Sequence, residues 1–454
     1  MTVEIHLGPG RDQMILPPLR LTTLALIIAA LAPNAHAISY TASILHPLGF
    51  TDSVATGSSD SAQVGSGSLP PTGEVSNALM WSGSAASFIN LNPAGFSASH
   101  ATGIAGSNQV GYGIGEATNS NFHAVLWNGS AASAIDLHPA NLTVSYAYGT
   151  SPSQQVGYGF HDSNFESHAL LWSGSAASAV DLHPAGLLES FAYSISGNYQ
   201  VGYGYGESTD MSSHALLWNG TAESVVDLHP TGFTETYANA VSGAVQVGSG
   251  SGPATNDLMN ALLWNGTAES AVNLNPAFLS FSEALGASTA GQVGDGFGDS
   301  TEGNYHAIYW NNSAESAVDL HSSLANLGAF VASSAKSISD NGMIVGTATD
   351  DNFITYAVLW VPTSNSGLLG DYDNSGVVDA ADYVLWRKHN NTMVTLPNDS
   401  TPGTDADDYL VWRSNYGEST GQGLDGSSSP VPEPATAALY ILGALAICAH
   451  RCHR

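Results

Sequence analysis

Apolar and polar residues alternate in short stretches along most of the chain, and turn residues separate these stretches. One unit holds four of them: Ser190–Ile195, Tyr199–Tyr203, His214–Trp218 and Ser224–Leu228. A two-residue period is typical of half-buried β-strands, and none of the four has the 3.6-residue period of an amphipathic helix. Asn219-Gly220, between the third and fourth stretches, favours a tight hairpin turn. The pattern therefore predicts four antiparallel strands in each unit.

Two sequence markers recur in phase, about every 45 residues, and show that the unit occurs seven times. A tryptophan ends the third stretch at Trp81, Trp127, Trp172, Trp218, Trp264, Trp310 and Trp360. A Gln-Val-Gly phrase begins at Gln63, Gln109, Gln155, Gln200, Gln246 and Gln292, with Met343–Gly346 as its seventh form. Four short strands in a unit of this length are typical of a propeller blade. We predict an all-β fold, a seven-bladed β-propeller of four-stranded blades over residues 38–364.

The two ends of the repeat region complement each other. Ser39–Leu45, followed by His46-Pro47, has the pattern of a fourth strand, whereas no fourth strand follows Trp360. We expect the N-terminal segment to complete the last blade, because closing the ring removes exposed sheet edges. An open solenoid is the alternative architecture, and it would not need complementary ends.

The repeated phrases also resemble a known family. His168–Trp172, Tyr146–Gly149 and their counterparts in the other units are similar to the HAF-type extracellular repeats of bacteria. The resemblance covers the whole repeat region. It implies an exported repeat protein, and it carries no established activity or site.

Charge narrows the classes of partner. Lysine and arginine together number eight, and the formal net charge is −30. Such a surface repels nucleic acid, since phosphate binding needs clustered cations. Calcium, cationic groups and neutral sugars are the favoured partners. The two cysteines, Cys448 and Cys452, lie at the C-terminus, so the repeat region contains no disulfide.

The N-terminus has the pattern of a secretion signal over residues 1–37. Arg20 precedes an apolar run from Leu21 to Pro33, and Ala35 and Ala37 form an A-x-A cleavage site. Met14 is an alternative start, and a buried N-terminal helix is the alternative interpretation. Export places the protein at the cell surface or in the extracellular matrix.

A twelve-residue acidic segment follows the repeats and predicts a calcium loop. Oxygen ligands fall at positions 1, 3, 5, 9 and 12, with a glycine at position 6 for the sharp turn. The predicted ligands are Asp371, Asp373, Ser375, Val377 through its carbonyl, Asp379 and Asp382. Asp382 replaces the usual bidentate glutamate, which favours a weaker, extracellular type of site. An acidic turn without a metal is the alternative.

The end of the calcium loop recurs. Asp379–Trp386 is repeated as Asp405–Trp412, and this pairing resembles the dockerin type I module over residues 365–418. The resemblance implies a small α-helical, calcium-dependent module and a cohesin-like protein partner. A second, weaker calcium loop would use Asp399, Thr401, Asp405 and Asp408, with prolines in place of its first ligand and its glycine.

The C-terminal residues 431–454 follow a Gly/Ser linker at 419–430. Val431, Pro432, Glu433 and Pro434 precede an apolar run at 435–449 and a basic end, an order that resembles the PEP-CTERM sorting signal. The resemblance implies processing by an exosortase-type membrane protease. We expect the apolar run to be a hydrophobic helix that anchors the protein in the membrane transiently, before this processing. A plain C-terminal membrane anchor is the alternative.

Histidines are frequent but mostly periodic. His46, His138, His183, His229 and His321 precede a turn, and His123, His168, His214 and His306 begin a third strand. A residue repeated in most blades serves blade geometry, and no unique nucleophile or acid–base pair is evident. We therefore expect a binding or structural scaffold and not an enzyme, with calcium as the cofactor.

The alternative function is a secreted carbohydrate-active enzyme, a polysaccharide hydrolase or lyase. A unique, asymmetric cluster of carboxylates in the central channel would favour it. For the binding function, variable acidic loops after the Gln-Val-Gly strands form the predicted ligand face. These acids are Glu116, Asp162, Glu166, Glu207, Asp210, Asp257, Asp299, Glu302 and Asp351. A purely solubilising role for them is the alternative.

Overall fold

The computed structural model describes residues 39–70, 75–161, 166–363, 369–373, 375–392, 394, 396–398 and 404–419. The predicted signal peptide with Ala35 and Ala37, and the sorting motif Val431–Pro434 with its apolar run, lie outside these residues. So do Asp162, Asp399 and Thr401. Within the described part, no helix is long and apolar enough to cross a membrane.

The described residues form seven antiparallel four-stranded sheets, which are the blades of a propeller. Blade 1 holds β2 (Asp52–Ser58), β3 (Gln63–Ser68), β4 (Ser76–Trp81) and β5 (Ile89–Asn90), and blade 2 holds β6 (Phe96–Ala105), β7 (Asn108–Gly115), β8 (His123–Trp127) and β9 (Ile135–Asp136). Blade 3 holds β10 (Leu142–Thr150), β11 (Gln155–His161), β12 (Ser167–Trp172) and β13 (Val180–Asp181), and blade 4 holds β14 (Leu187–Ser196), β15 (Tyr199–Gly206), β16 (His214–Trp218) and β17 (Val226–Asp227). Blade 5 holds β18 (Glu235–Ser242), β19 (Val245–Ser251), β20 (Asn260–Trp264) and β21 (Val272–Asn273), and blade 6 holds β22 (Phe281–Ser288), β23 (Gly291–Phe297), β24 (His306–Trp310) and β25 (Val318–Asp319). Blade 7 holds β26 (Phe330–Ile338), β27 (Ile344–Asp350), β28 (Thr355–Pro362) and β1 (Tyr40–Ile44). The predicted seven-bladed propeller of four-stranded blades is confirmed.

The N-terminal strand closes the ring. β1 pairs antiparallel with β28 from Tyr40↔Pro362 to Ile44↔Val358, so blade 7 has the order β1-β28-β27-β26. Leu45 then packs with Ala357 of blade 7 and with Trp81 of blade 1 in one buried cluster. The predicted closure is confirmed, and the open solenoid is not adopted.

The fourth strand is shorter than its sequence pattern suggested. In blades 1 to 6 it has two residues, and a one-turn 3-10 helix replaces the expected tight hairpin before it. In blade 4 this helix is Ala222–Ser224, and Gly220 takes a φ of +83°. The Gly220 amide donates to Oε1 of Gln200 at 2.8 Å, and the Asn219 amide donates to Oγ of Ser224 at 2.8 Å. These side chains satisfy backbone groups that a longer strand would have paired. The third and fourth strands still pair as a hairpin, but the predicted tight turn and long fourth strand are wrong.

The core lies between blades rather than within them. Trp172 of blade 3 packs against Val110, Ala124 and Leu137 of blade 2, and the other blade tryptophans are equally buried. Because each tryptophan fills the space against the preceding blade, the apolar burial that stabilises one blade depends on its neighbour. The ring therefore behaves as one cooperative unit.

Two α-helices follow the propeller in the described part: α1 (Ala380–His389) and α2 (Ala406–Asn415). Each begins at an aspartate N-cap, Asp379 or Asp405. The indole nitrogen of Trp386 donates to the Asp405 carbonyl, and that of Trp412 donates to the Asp379 carbonyl, both at 2.6 Å. A tryptophan of each helix therefore bonds to the N-cap residue of the other helix, so the duplicated sequences form a pair of helices with equivalent contacts.

Candidate functional site

The periodic histidines connect neighbouring blades. In the link from blade 2 to blade 3, the Ala124 amide donates to Oγ of Ser145 at 3.0 Å, and Oγ of Ser145 lies 2.9 Å from Nδ1 of His138. Nε2 of His138 lies 3.1 Å from the Leu142 carbonyl, which can only accept. We call this chain a histidine relay. Equivalent relays contain His46, His183, His229 and His321.

Two blade junctions show which tautomer the relay requires, because asparagine replaces the histidine there. Oγ of Ser99 donates to Oδ1 of Asn92 at 2.6 Å, and Nδ2 of Asn92 donates to the Phe96 carbonyl at 3.1 Å. Asn275 makes the same two bonds. The amide oxygen corresponds to an unprotonated Nδ1, and the amide nitrogen corresponds to a protonated Nε2. The relay histidines are therefore neutral.

Burial supports the neutral state. It lowers the pKa of His138, and the nearby His123, whose ring stacks on it at 3.8 Å between centroids, lowers that pKa further. The pKa values of His46, His183, His229 and His321 are lowered as well, in each case chiefly by burial. These residues serve blade geometry, as their periodicity predicted.

At one register position, blade 6 differs from the other blades by having two acidic side chains opposite each other. At one equivalent position in every blade, a residue of the first strand lies directly opposite a residue of the second strand. Six of these seven pairs contain no acid. They are Val54↔Ser66, His100↔Tyr112, Tyr146↔Tyr158, Phe191↔Tyr203, Tyr237↔Ser249 and Ser334↔Thr347. In blade 6 the pair is Glu283↔Asp295, which we call the acid pair.

The acid pair lies in a cleft between blades 6 and 7. The cleft has a volume of about 340 Å³, and its other lining residues are Tyr305, Ala332, Ser333, Ser334, Thr347 and Thr349. Asp295 is buried, accepts a hydrogen bond from the Ser334 hydroxyl, and lies 3.7 Å from Nζ of Lys336. Burial, and secondly the charge of Asp295, raise the pKa of Glu283. One carboxyl is therefore held by a cation and a hydroxyl, while the other is biased toward its protonated form.

An arc of rings occupies the same register position over blades 2 to 5. Each ring lies 4.8–5.2 Å, centroid to centroid, from the next. This aromatic arc consists of His100, Tyr112, Tyr146, Tyr158, Phe191, Tyr203 and Tyr237. The acid pair follows directly after it around the ring. The side chains at this register position therefore differ between blades, although the tryptophan and Gln-Val-Gly markers repeat regularly.

The acids of the predicted ligand face lie in the loops between second and third strands. Glu116, Glu207 and Asp299 begin one-turn helices, whereas Asp210, Asp257 and Glu302 take positive φ values of 50–61°. Glu166 and Asp351 occupy the corresponding segments of blades 3 and 7. In an antiparallel blade these loops emerge at the same end as the connections between blades. Tyr305 belongs to this end, so the acid-pair cleft opens beside the predicted face.

The predicted calcium loop brings three carboxylates together. One oxygen from each of Asp371, Asp373 and Asp382 lies within 4.8 Å of the others. Both oxygens of Asp371 accept backbone bonds, from Ser375 at 2.8 Å and from Gly376 at 2.7 Å. Such bonds turn the loop around a single point, and hard oxygen donors of this kind suit calcium.

The remaining predicted ligands take different positions. Oγ of Ser375 lies 3.4 Å from Asp371 and 3.1 Å from the Val377 carbonyl, so both residues border the cluster. Asp379 instead caps α1 by accepting from the Ala381 amide at 2.7 Å. In the second loop, Asp405 and Asp408 keep the equivalent capping geometry.

Electrostatics favour a cation at the first loop. Burial, together with the nearby carboxylates of Asp373 and Asp371, raises the pKa of Asp382 to about 7, against the lowering effect of its backbone hydrogen bonds. Burial also raises the pKa of Asp371. Three converging carboxylates repel one another, and a divalent cation among them would remove that repulsion.

Comparison with known proteins assigns no family to the chain. No family model and no curated protein matches the chain. Similar solved structures include the β-propeller domain of the Trilobed protease from Pyrococcus furiosus, at 8% identity and a TM-score of 0.46, covering 68% of this chain and 95% of that one. A puromycin hydrolase matches at 11% identity and a TM-score of 0.46, covering 68% of this chain and 51% of the hydrolase. An oligogalacturonate lyase from Vibrio parahaemolyticus matches at 10% identity and a TM-score of 0.45, covering 70% and 93%.

These likenesses concern the fold alone, and this chain spans about half the length of the puromycin hydrolase. They nevertheless correct one expectation. The chains found similar include ones named as a hydrolase and a lyase, and a fold by itself does not decide whether a protein is catalytic. The acid pair is also the one pair of carboxyl groups at this register position among the seven described blades, and the sequence analysis had not found it. The prediction that the chain is not an enzyme is therefore wrong.

Proposed function

We propose that the protein is an exported scaffold of the cell surface or extracellular matrix, whose propeller binds a sugar unit of a polysaccharide. The acid-pair cleft carries this proposal. Seven blades share the same buried tryptophan and similar relays between blades, which make a rigid frame. In such a frame, residues that differ between blades are the ones that can select a ligand. Glu283↔Asp295 is the clearest difference between blade 6 and the others.

The chemistry of the cleft selects a hydroxyl-rich ligand. Carboxylates, hydroxyls and the half-exposed Tyr305 line it, so it offers donors and acceptors together with a similar amount of apolar surface, as the two faces of a sugar ring require. Its volume of about 340 Å³ lies within the usual range for small-molecule sites, about 300–1,000 Å³. Lys336 already partners Asp295, so an anionic ligand would find no unpaired cation among the lining residues. A neutral sugar satisfies these conditions, and the acids of the neighbouring loops could add a bridging cation.

The helix pair is proposed to be a calcium-dependent, dockerin-like module. The convergence of Asp371, Asp373 and Asp382 supports this assignment, as do the reciprocal tryptophan bonds of α1 and α2. A cohesin-like protein is the partner that the resemblance implies. Export by a signal peptide and processing of a PEP-CTERM tail by an exosortase-type protease complete the proposal, and they rest on the sequence patterns alone.

A glycan array tests the binding function. The protein is applied to the array with and without about 1 mM calcium. We expect it to be retained on a restricted group of neutral or weakly charged polysaccharides. Absence of retention on every glycan under both conditions would refute the proposed ligand class.

A second candidate function is a polysaccharide hydrolase or lyase, and the acid pair favours it. A carboxyl with a raised pKa beside an ionised carboxylate is the arrangement that general acid–base cleavage of sugars uses. Glu283 would donate a proton, and Asp295, held by Lys336 and Ser334, would act as the base or the stabilising charge.

Reducing-end release from the glycans that bind would test this second function. Glu283→Gln should abolish release while keeping the shape of the cleft. Glu189→Gln, on the first strand of blade 4, is the matched control and should leave release unchanged. Binding without any release in the parent protein would eliminate the enzymatic function.

A further inference from the structure

Blade 3 carries a histidine that belongs to neither periodic set. His161 ends β11, and its ring lies 4.6 Å, centroid to centroid, from that of His168. Nδ1 of His168 lies 2.8 Å from Oδ2 of Asp181. One ligand atom from each of these three residues lies within 4.8 Å of the others.

The neighbouring blades show that His161 is a departure from the local design. At its position, blades 2, 4, 5 and 6 have Gly115, Gly206, Gly252 and Gly298. In blade 4 a Cβ at Gly206 would lie 2.5 Å from the Leu187 Cα, so the one-turn helix that follows requires glycine there. Blade 3 has a histidine in place of this glycine, and its imidazole lies beside the His168–Asp181 pair.

The rest of the cluster is already oriented. The His168 ring stacks on that of His183 at 3.9 Å, and Oδ1 of Asp181 accepts from the His183 amide at 2.8 Å. The hydrogen bond to Asp181 and the stacking on His183 together fix the orientation of the His168 ring. His161 and His168 are partly exposed and Asp181 is exposed, so an ion can reach the cluster from solvent.

We propose that His161, His168 and Asp181 form a site for a divalent transition metal ion, for which zinc is the probe. Two imidazoles and one carboxylate are typical zinc ligands, with bonds of about 2.0–2.2 Å and a fourth position for water. Tetrahedral ligands at such lengths lie about 3.3 Å apart. Nδ1 of His168 and Oδ2 of Asp181, now 2.8 Å apart, would separate to about this distance as the ion displaces the proton between them, and His161 would supply the third ligand atom. Calcium prefers oxygen ligands, which separates this site from the predicted calcium loop.

Calorimetric titration of zinc into the full, calcium-saturated protein at pH 7.5 tests the proposal. His161→Gly restores the residue of the other blades, and Asp181→Asn removes the carboxylate. Asp227→Asn in blade 4 is the matched control, because His214–Asp227 repeats the same pair at 2.7 Å without a third histidine. The readout is the zinc equivalent lost relative to the parent, so any zinc bound elsewhere, for example at Cys448 and Cys452, does not affect the comparison.

We expect His161→Gly and Asp181→Asn each to remove one equivalent or to weaken it at least tenfold, with Asp227→Asn unchanged. If the parent and His161→Gly bind the same number of equivalents with the same affinity, the proposal is wrong. It is equally wrong if Asp181→Asn and Asp227→Asn have the same effect. Melting temperatures measured without zinc show whether each variant is folded.

Discussion

Replacing one relay histidine by asparagine should remove part of the acid sensitivity of the fold without weakening it at neutral pH. The change is His138→Asn, and the precedent is Asn92, which makes the same two bonds with Ser99 and Phe96. Because asparagine reproduces the neutral relay, we expect the free energy of unfolding at pH 7.5 to stay within about 1 kcal/mol of the parent value. His138→Ala is the contrasting variant. It leaves the buried Ser145 hydroxyl without its acceptor and should cost about 1–3 kcal/mol at every pH.

The pH dependence follows from the lowered pKa of His138. In the unfolded chain histidine titrates near pH 6.5. Between that value and the lower folded pKa, the unfolded chain binds more protons, so stability falls as the pH falls. The slope for one histidine is at most about 1.4 kcal/mol per pH unit, which is up to about 2 kcal/mol between pH 6.5 and 5. The asparagine variant should lack this contribution.

Urea unfolding followed by tryptophan fluorescence measures the effect, because each blade has a buried tryptophan. The parent and His138→Asn curves are compared at half-unit steps from pH 5 to 8. A parent-minus-variant difference that is constant over this range would refute the neutral relay. So would an asparagine variant that loses as much stability at pH 7.5 as the alanine variant.

Three further predictions concern closure, calcium and the loop acids. Deleting residues 38–46 should lower the free energy of unfolding by about 3 kcal/mol or more, since losing a buried leucine alone costs about 2–5 kcal/mol; melting like the parent would contradict the closed ring. Asp371→Ala with Asp373→Ala should abolish the strongest calorimetric calcium signal, at a dissociation constant of about 10⁻⁴–10⁻³ M; an unchanged isotherm would place the metal elsewhere. Glu207→Asn with Asp210→Ser should weaken retention on isolated extracellular matrix at an unchanged melting temperature, whereas equal retention would assign these acids to solubility.

The repeat markers were sufficient to predict the fold because each has a structural role that recurs. Gln200 accepts from the turn glycine, Trp218 fills the junction with the preceding blade, and His229 relays to the next one. The complementary ends likewise predicted the pairing of β1 with β28. The fourth strand was predicted too long because Ser224 and Gln200 satisfy backbone groups that local alternation assigns to strand pairing.

The acid pair escaped the sequence analysis for a different reason. Glu283 and Asp295 lie on separate strands, and only the register of the sheet places them opposite each other. Alignment of the seven repeats at both positions would have shown that blade 6 alone has acids there. His161 carried a similar signal, since it stands where four other blades have glycine. The periodic residues predicted the frame, and the departures from periodicity mark the candidate sites.

The most direct test of the acid-pair cleft as the ligand site is a calorimetric titration, into three proteins, of the glycan that binds most tightly on the array. These are the parent, the variant Glu283→Gln with Asp295→Asn, and the control Glu189→Gln. Both substitutions in the cleft keep its shape and remove its charge. We therefore expect the dissociation constant of that variant to be at least tenfold larger than that of the parent, and the control to bind like the parent. Equal affinity in all three proteins would contradict the assignment of the cleft as the ligand site.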